Sequence, residues 1–334
     1  MLSLHLCALS ALIVVEQTLH ARHRPPPGMR HVEVPARVDV AAAALREAPF
    51  PIEWRKALDG LSPADVDAAL ALVHDAEHLR MIQRMSQTGG GFDTDTYCAP
   101  GSWEAMVDAA GAWMECVWHA ADGRGPALAL TRPAGHHATR NVAMGFGLVN
   151  FAACAVAAYL ERAPTRTVAI LDWDIHHGNG VAAAFAHEPR VRYASTHEAG
   201  GFPGTGADEG VTGPCANLLS VSLPRGSGRE EFLSALELTT LPFLLRGGGG
   251  SGQPGDRTSS VGSMSGGSSS GGSSSDGSTS NSDGGSSSSD GDGVGSSSDG
   301  DGDGGPPDPW PDLLLICAGY DGTPAIPAPP HRHW

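Results

Sequence analysis

The chain has 334 residues and a formal net charge of −16, half of it in residues 247–308, where nine Asp face one Arg among Gly and Ser. Such a tract has too little apolar surface to offset the entropy of ordering it, so it reads as a disordered insertion. The remaining stretch, about 270 residues, can bury one large core, has no basic block suited to nucleic acid, and spreads six cysteines with no C-x-x-C pair, which argues against a disulfide framework and a thiolate zinc site.

The elements follow in chain order. MLSLHLCALSALIVV (1–15) is apolar but too short to span a bilayer, and no Lys or Arg precedes it as a signal peptide requires. It predicts a first core strand around ALIVV. Residues 1–30 are otherwise unassigned, with organelle targeting left open. Cytoplasm or nucleus is the expected compartment, without membrane association. Residues 62–85 predict one helix with Ser62 as its N-cap. Helices also follow at 100–121, 147–163 and 228–246. Between them lie continuous apolar runs ending in polar residues and glycine, at 126–137, 167–177, 191–198 and 312–321. Such runs suit strands buried on both faces, and their alternation with helices predicts an α/β fold with a parallel sheet. The Gly/Ser/Asp tract interrupts that pattern, but a flexible segment of its length spans roughly 45 Å and its closure entropy grows only slowly with length. It is read as a surface insertion, not a domain boundary.

In parallel sheets, sites form at the carboxyl ends of the strands. His136–His137, Asp172 to His177, Ser195–His197 and Asp321 all fall there. Asp172, Asp174 and His176 would share a face if strand geometry persists. Carboxylate and imidazole together suit zinc, and a further ligand from another strand is expected, with Asp321 the candidate. His136 and His137 suit an acid/base pair, since imidazole titrates near neutral pH and neighbours can tune each ring differently. His177 shares no face with the other three and is left without a role. HHGNG (176–180) lacks the Gly-x-x-x-x-Gly-Lys pattern of a phosphate loop.

RPAGHHA (132–138), GFGLVNFAA (145–153), DWDIHHGNG (172–180), STHEAGGFPGTG (195–206) and CAGYDG (317–322) resemble, in order and spacing, the histone deacetylase and acetylpolyamine amidohydrolase family. HVEVPAR (31–37) resembles its His-Pro-Glu-x-Pro-x-Arg signature, with Val32 where Pro is usual, and Trp173 and Asn179 are similar to the class II branch. The match covers roughly 30–246 and 311–322. The resemblance implies a three-layer arginase/deacetylase-like fold over 31–246 and 309–323. It implies Asp174, His176 and Asp321 as zinc ligands and His136 and His137 as the acid/base pair. Asp172 would orient His136, with Asn179 behind His137. Phe146 and Phe202, with Gly145 beside them, would wall a tunnel for an acyl-lysine stem. A potassium ion would sit on main-chain oxygens near Asp172, Asp174 and His176, with Ser195. The implied activity is zinc-dependent removal of acyl groups from lysine in a protein, or from a polyamine. An arginase-like two-metal centre would need more Asp and His ligands than can be placed.

One feature departs from the family. Its members continue past the Asp321 motif to a Gly-Gly-Tyr loop whose Tyr donates to the oxyanion. PAIPAPPHRHW (324–334) fits no part of that pattern, and Tyr320 matches the aromatic residue before the metal-binding Asp. The chain therefore reads as C-terminally truncated or mispredicted, or else as impaired, since loss of an oxyanion donor costs roughly 10²–10³ in rate.

Overall fold

The β-branched run near the N-terminus forms strand β1 (Leu12–Glu16), with Ile13, Val14 and Val15 buried. The computed structural model describes residues 11–207, 210–245 and 310–319. Residues 1–10, the 247–308 insertion, Tyr320, Asp321 and the 324–334 tail lie outside the described residues. β1 pairs in parallel with β2 (Ile52–Lys56) across helix α1 (Ala36–Arg46) in sequence.

The single helix expected over 62–85 is two helices, α2 (Pro63–Val73) and α3 (Ala76–Thr88). Ser62 does cap α2: its hydroxyl accepts from Asp65 N–H, and the Asp65 carboxylate accepts from Ser62 N–H at 2.9 Å. That reciprocal box satisfies two of the helix's orphan donors. The break comes at His74, whose backbone is extended (φ −107°, ψ 146°). Its Nε2 accepts from Asn150 N–H at 2.9 Å, and Asp75 N–H donates to Arg140 O at 3.0 Å. Tertiary hydrogen bonds thus override local helix propensity.

A two-stranded ribbon follows, β3 (Gly90–Gly91) with β4 (Tyr97–Cys98), and then the long helix α4 (Ser102–Ala121). β5 (Ala127–Leu130) completes a three-stranded parallel sheet of order β2-β1-β5. After α5 (Phe151–Arg162) come β6 (Val168–Asp172), the short α6 (Asn179–Phe185), β7 (Val191–Glu198), β8 (Gly210–Thr212) and β9 (Leu218–Leu223). The segment expected as one helix over 228–246 is α7 (Arg229–Ala235), a π-turn (Leu236–Thr240) and α8 (Leu241–Leu244). Pro242, at the first turn of α8, has no N–H for an i→i−4 bond, which accounts for the irregular geometry before it. β10 (Leu313–Cys317) returns to pair with β6, giving a five-stranded sheet of order β10-β6-β7-β9-β8, parallel except for β8.

Alternation along these strands builds three layers. Val168, Ile170, Val191, Tyr193, Leu313 and Leu315 face α2, α4 and α5. Ala169, Leu171, Ala194 and Leu219 face the other way, onto Leu241, Phe243 and Leu244. Every β6 residue is buried, as its uninterrupted apolar run requires. Burying a side chain such as Ile170 contributes ~1.5–3 kcal/mol. The architecture is the three-layer α/β sheet that the sequence predicts.

Candidate active site

β6 stops at Asp172, which is fully buried. The expectation that strand geometry would carry Asp172, Asp174 and His176 on one face is not met. Carboxylates turn the chain instead: Asp174 N–H donates to Asp172 Oδ1 at 3.2 Å, and His176 N–H donates to Asp174 Oδ1 at 2.8 Å. Short acidic side chains favour such local turns. Asp172 therefore points to His136, while Asp174 and His176 face each other, with Oδ1 and Nδ1 3.0 Å apart.

The two histidines of RPAGHHA stand beside this turn, their ring centroids 4.0 Å apart. His136 Nδ1 lies 3.0 Å from Asp172 Oδ2, and its Nε2 lies 3.8 Å from Asp174 Oδ1. His137 Nδ1 lies 2.8 Å from Asn179 Oδ1. Asn179 donates through Nδ2 to His137 O at 3.3 Å and reaches Met144 Sδ, which turns its oxygen toward the imidazole. Because Oδ1 only accepts, His137 carries its proton on Nδ1 and presents Nε2 as a base. Burial, with His136 alongside, pushes the His137 pKa down to about 3, so the ring is neutral at physiological pH. Burial alone would raise Asp174, but His136 and the hydrogen bonds from His176 hold its carboxyl well below the usual range.

Glycine permits this crowding. A Cβ on Gly178 would lie 2.2 Å from Asp172 Oδ2, and one on Gly145 (φ +56°) would lie 2.3 Å from His137 Cδ2. Gly145 thus presses on the pair directly. Phe202 is 48% exposed and sets its ring edge against His137 at 4.9 Å and His176 at 6.2 Å. Phe146, next to Gly145, stands edge-on to His31 at 5.1 Å, with its N–H donating to Thr96 Oγ1. Ser195 is buried on β7, in register with Asp172.

Three residues given no role by the motifs take part in the site: Tyr193, His177 and His197. Tyr193 is buried, and its hydroxyl lies 3.0 Å from Asp172 Oδ2 and 3.1 Å from Gly178 O. Alternation along VRYASTHE puts Tyr193, Ser195 and His197 on one face, which is the signal that could have found Tyr193 and His197. His177, left without a role on sequence, contacts Thr205 and His197.

A family model of the histone deacetylase domain matches residues 31–246. The chain belongs to the histone deacetylase domain family. An uncharacterized protein of Synechocystis is 39% identical over 222 residues, covering 65% of this chain and 71% of that one. The histone deacetylase-like amidohydrolase of Pseudomonas aeruginosa is 32% identical over 235 residues, covering 67% of this chain and 59% of its own. Histone deacetylase 5 of Arabidopsis thaliana is 31% identical, and this chain spans 37% of its length. The crystal structure of the HDA15 HD domain matches with a TM-score of 0.62 at 30% identity, over 71% of this chain and 69% of that one. The family consists of deacetylases and related amidohydrolases that act on acetylated substrates.

A deacetylase-family metal would need three protein ligands. Among the described residues, no group of three His, Cys, Asp or Glu is arranged to hold one. Two of the three expected ligands are present. Two donors on one tetrahedral zinc stand roughly 3.3 Å apart, and Asp174 Oδ1 and His176 Nδ1 are 3.0 Å apart. The third, Asp321, lies outside the described residues. The described chain ends at Gly319, where an added Cβ would be 1.7 Å from Asp174 Oδ2. The strand β10 therefore delivers its carboxyl end onto Asp174. The donor chemistry fits zinc. No described helix is long and apolar enough to cross a membrane.

Proposed function

We propose that this chain is a zinc-dependent amidohydrolase that removes acetyl or other acyl groups from lysine side chains of proteins. The observation that carries the reading is the asymmetric histidine pair. His136 is backed by the Asp172 carboxylate and His137 by the neutral Asn179 amide, both beside Asp174 and His176. Asp174 and His176 would hold the metal together with Asp321. Bound there, zinc would polarise the acyl carbonyl and acidify a water molecule.

The rest of the chemistry falls to the chain. Hydrolysis adds water across the amide C–N bond and leaves a carboxylate and a free amine. His137 Nε2, held free of protons by burial, takes the proton of the attacking water. That proton then passes to the departing lysine nitrogen. His136 accommodates positive charge better, because its Nδ1–H faces a carboxylate. Two rings 4.0 Å apart do not readily hold charge together, so protonation of one opposes protonation of the other. Asn179 offers no charge to an imidazolium at His137, which keeps that ring the base. Phe202 supplies an exposed aromatic wall over His137 and His176 for the apolar lysine stem. Asp172, Asp174, His176 and Ser195 would also line a potassium site that fixes the turn.

Purified protein reconstituted with zinc is expected to cleave a fluorogenic acetyl-lysine peptide and to contain one zinc per chain by elemental analysis. Absence of both cleavage and bound zinc would sink the reading. Preferential cleavage of an acetylated polyamine would move the substrate to that class.

A further inference from the structure

We propose that His177 and His197 form a clamp that positions Phe202, linking the turn that carries Asp174 and His176 to the wall of the substrate site. The inference deepens the deacylase reading and rests on it for the role of Phe202.

The two imidazoles come from different elements. His177 follows His176 directly in the turn after β6, and His197 projects from β7. Both are buried, and their ring centroids are 4.9 Å apart. Each is bonded to the turn beyond Phe202. His177 Nδ1 lies 2.8 Å from Thr205 Oγ1, and His197 Nε2 lies 3.1 Å from Gly206 O. A carbonyl oxygen only accepts, so His197 carries its proton on Nε2. Its Nδ1 is then an acceptor, and the Ser195 hydroxyl donates to it at 2.9 Å. One chain of hydrogen bonds thus runs from β7 beside Asp172 to the backbone of the turn.

Gly206 lies flat on both rings. Its φ is +79°, and a Cβ there would stand 2.6 Å from His177 Cγ and 2.7 Å from His197 Nε2. No side chain fits between the turn and its clamp. Gly204 N–H donates to Gly201 O at 2.9 Å, so the segment from Gly201 to Gly206 is a tight unit with Phe202 on its outer side. Beneath it lies a cavity of about 150 Å³, lined by His177, Tyr193, Gly206, Thr212 and Ser220 among others. The two histidines reach the turn through directed hydrogen bonds, to Thr205 and to Gly206 O, and these set its height. The Phe202 ring in turn meets His137 and His176 edge-on, so a shift of the turn changes the width of the site over the reacting atoms.

Thr205→Val tests the clamp, because it removes the hydroxyl partner of His177 and keeps the side-chain shape. Hydrogen exchange over residues 199–207 and steady-state kinetics on an acetyl-lysine peptide are the readouts, with zinc content checked alongside. The variant is expected to exchange about fivefold faster across the turn and to raise KM about fivefold with kcat within about twofold, the loss of one part-buried hydrogen bond felt in binding. Thr205→Ser should restore both. Unchanged exchange in Thr205→Val would overturn the clamp, and so would faster exchange with an unchanged KM. A wild-type protein without turnover would fail the deacylase reading alone, and the exchange arm would still decide whether the histidines hold the turn.

Discussion

Glu33→Gln is expected to destabilise the whole molecule although it changes one atom. Glu33 is fully buried, and the side chain of Arg132 is 3% exposed. Arg132 Nε donates to Glu33 Oε1 at 2.9 Å, and its Nη2 donates to Glu33 Oε2 and to the Tyr97 hydroxyl. Nη1 donates to His20 O and His23 O. All five guanidinium donors are therefore taken, and among the described residues the charge that compensates it is Glu33, supported by Tyr97 O–H. The isosteric amide keeps the volume but leaves a buried guanidinium without its counter-charge. Breaking such a pair from one side costs ~3–5 kcal/mol. For a domain of this size that corresponds to a fall in Tm of roughly 10 °C. Differential scanning calorimetry on the purified variant reads it. Removing both partners, as in Glu33→Gln with Arg132→Met, should cost less than the sum of the two single changes, because no lone charge then remains. A Tm shift of Glu33→Gln under about 2 °C, or strict additivity in the double variant, would refute the argument. The pair matters beyond stability, since Arg132 lies four positions before His136 and its N–H is fixed by Gln17 Oε1 at 2.9 Å.

Two further outcomes follow from buried charge. Burial, with Arg132 nearby, lowers the pKa of His23 to about 3, and burial with His78 nearby lowers that of His74 to about 4, against an ordinary 6.5. The unfolded chain therefore binds these protons first. The stability is fully present above pH 6.5 and is lost as pH falls through 6.5 toward 4 and 3, at ~1.4 kcal/mol per pH unit for each ring; a Tm that stays flat from pH 7 to pH 5 would contradict this. Asp172→Asn should lower kcat on an acetyl-lysine peptide roughly 10–100-fold, the worth of a charge-assisted hydrogen bond to His136, while zinc content is retained; an unchanged kcat would remove Asp172 from the mechanism.

Much of the molecule was legible because its signals are local. Continuous apolar runs marked β1, β6, β7 and β10, and Ser62 marked the start of α2. The chemistry-bearing residues could be found because parallel strands, in both sheets, carry them just past their carboxyl ends. The failures share a cause. The helix over 62–85 breaks at His74 because Asn150, 76 positions away, bonds the imidazole. The D-x-D-x-H run leaves strand geometry because carboxylates bond the backbone two residues ahead, so alternation could not assign its faces.

The sequence by itself determined the strands β1, β5, β6, β7 and β10, the helices α4 and α5, the start of α2 and which residues could do chemistry, since these depend on neighbours within a turn or a strand. Tertiary structure alone decided which of those residues meet. Glu33 finds Arg132 across 99 positions, Asp172 finds His136, and His177 finds Thr205 and His197. Each contact is set by where packed layers bring distant backbone, and no short window of sequence carries that distance.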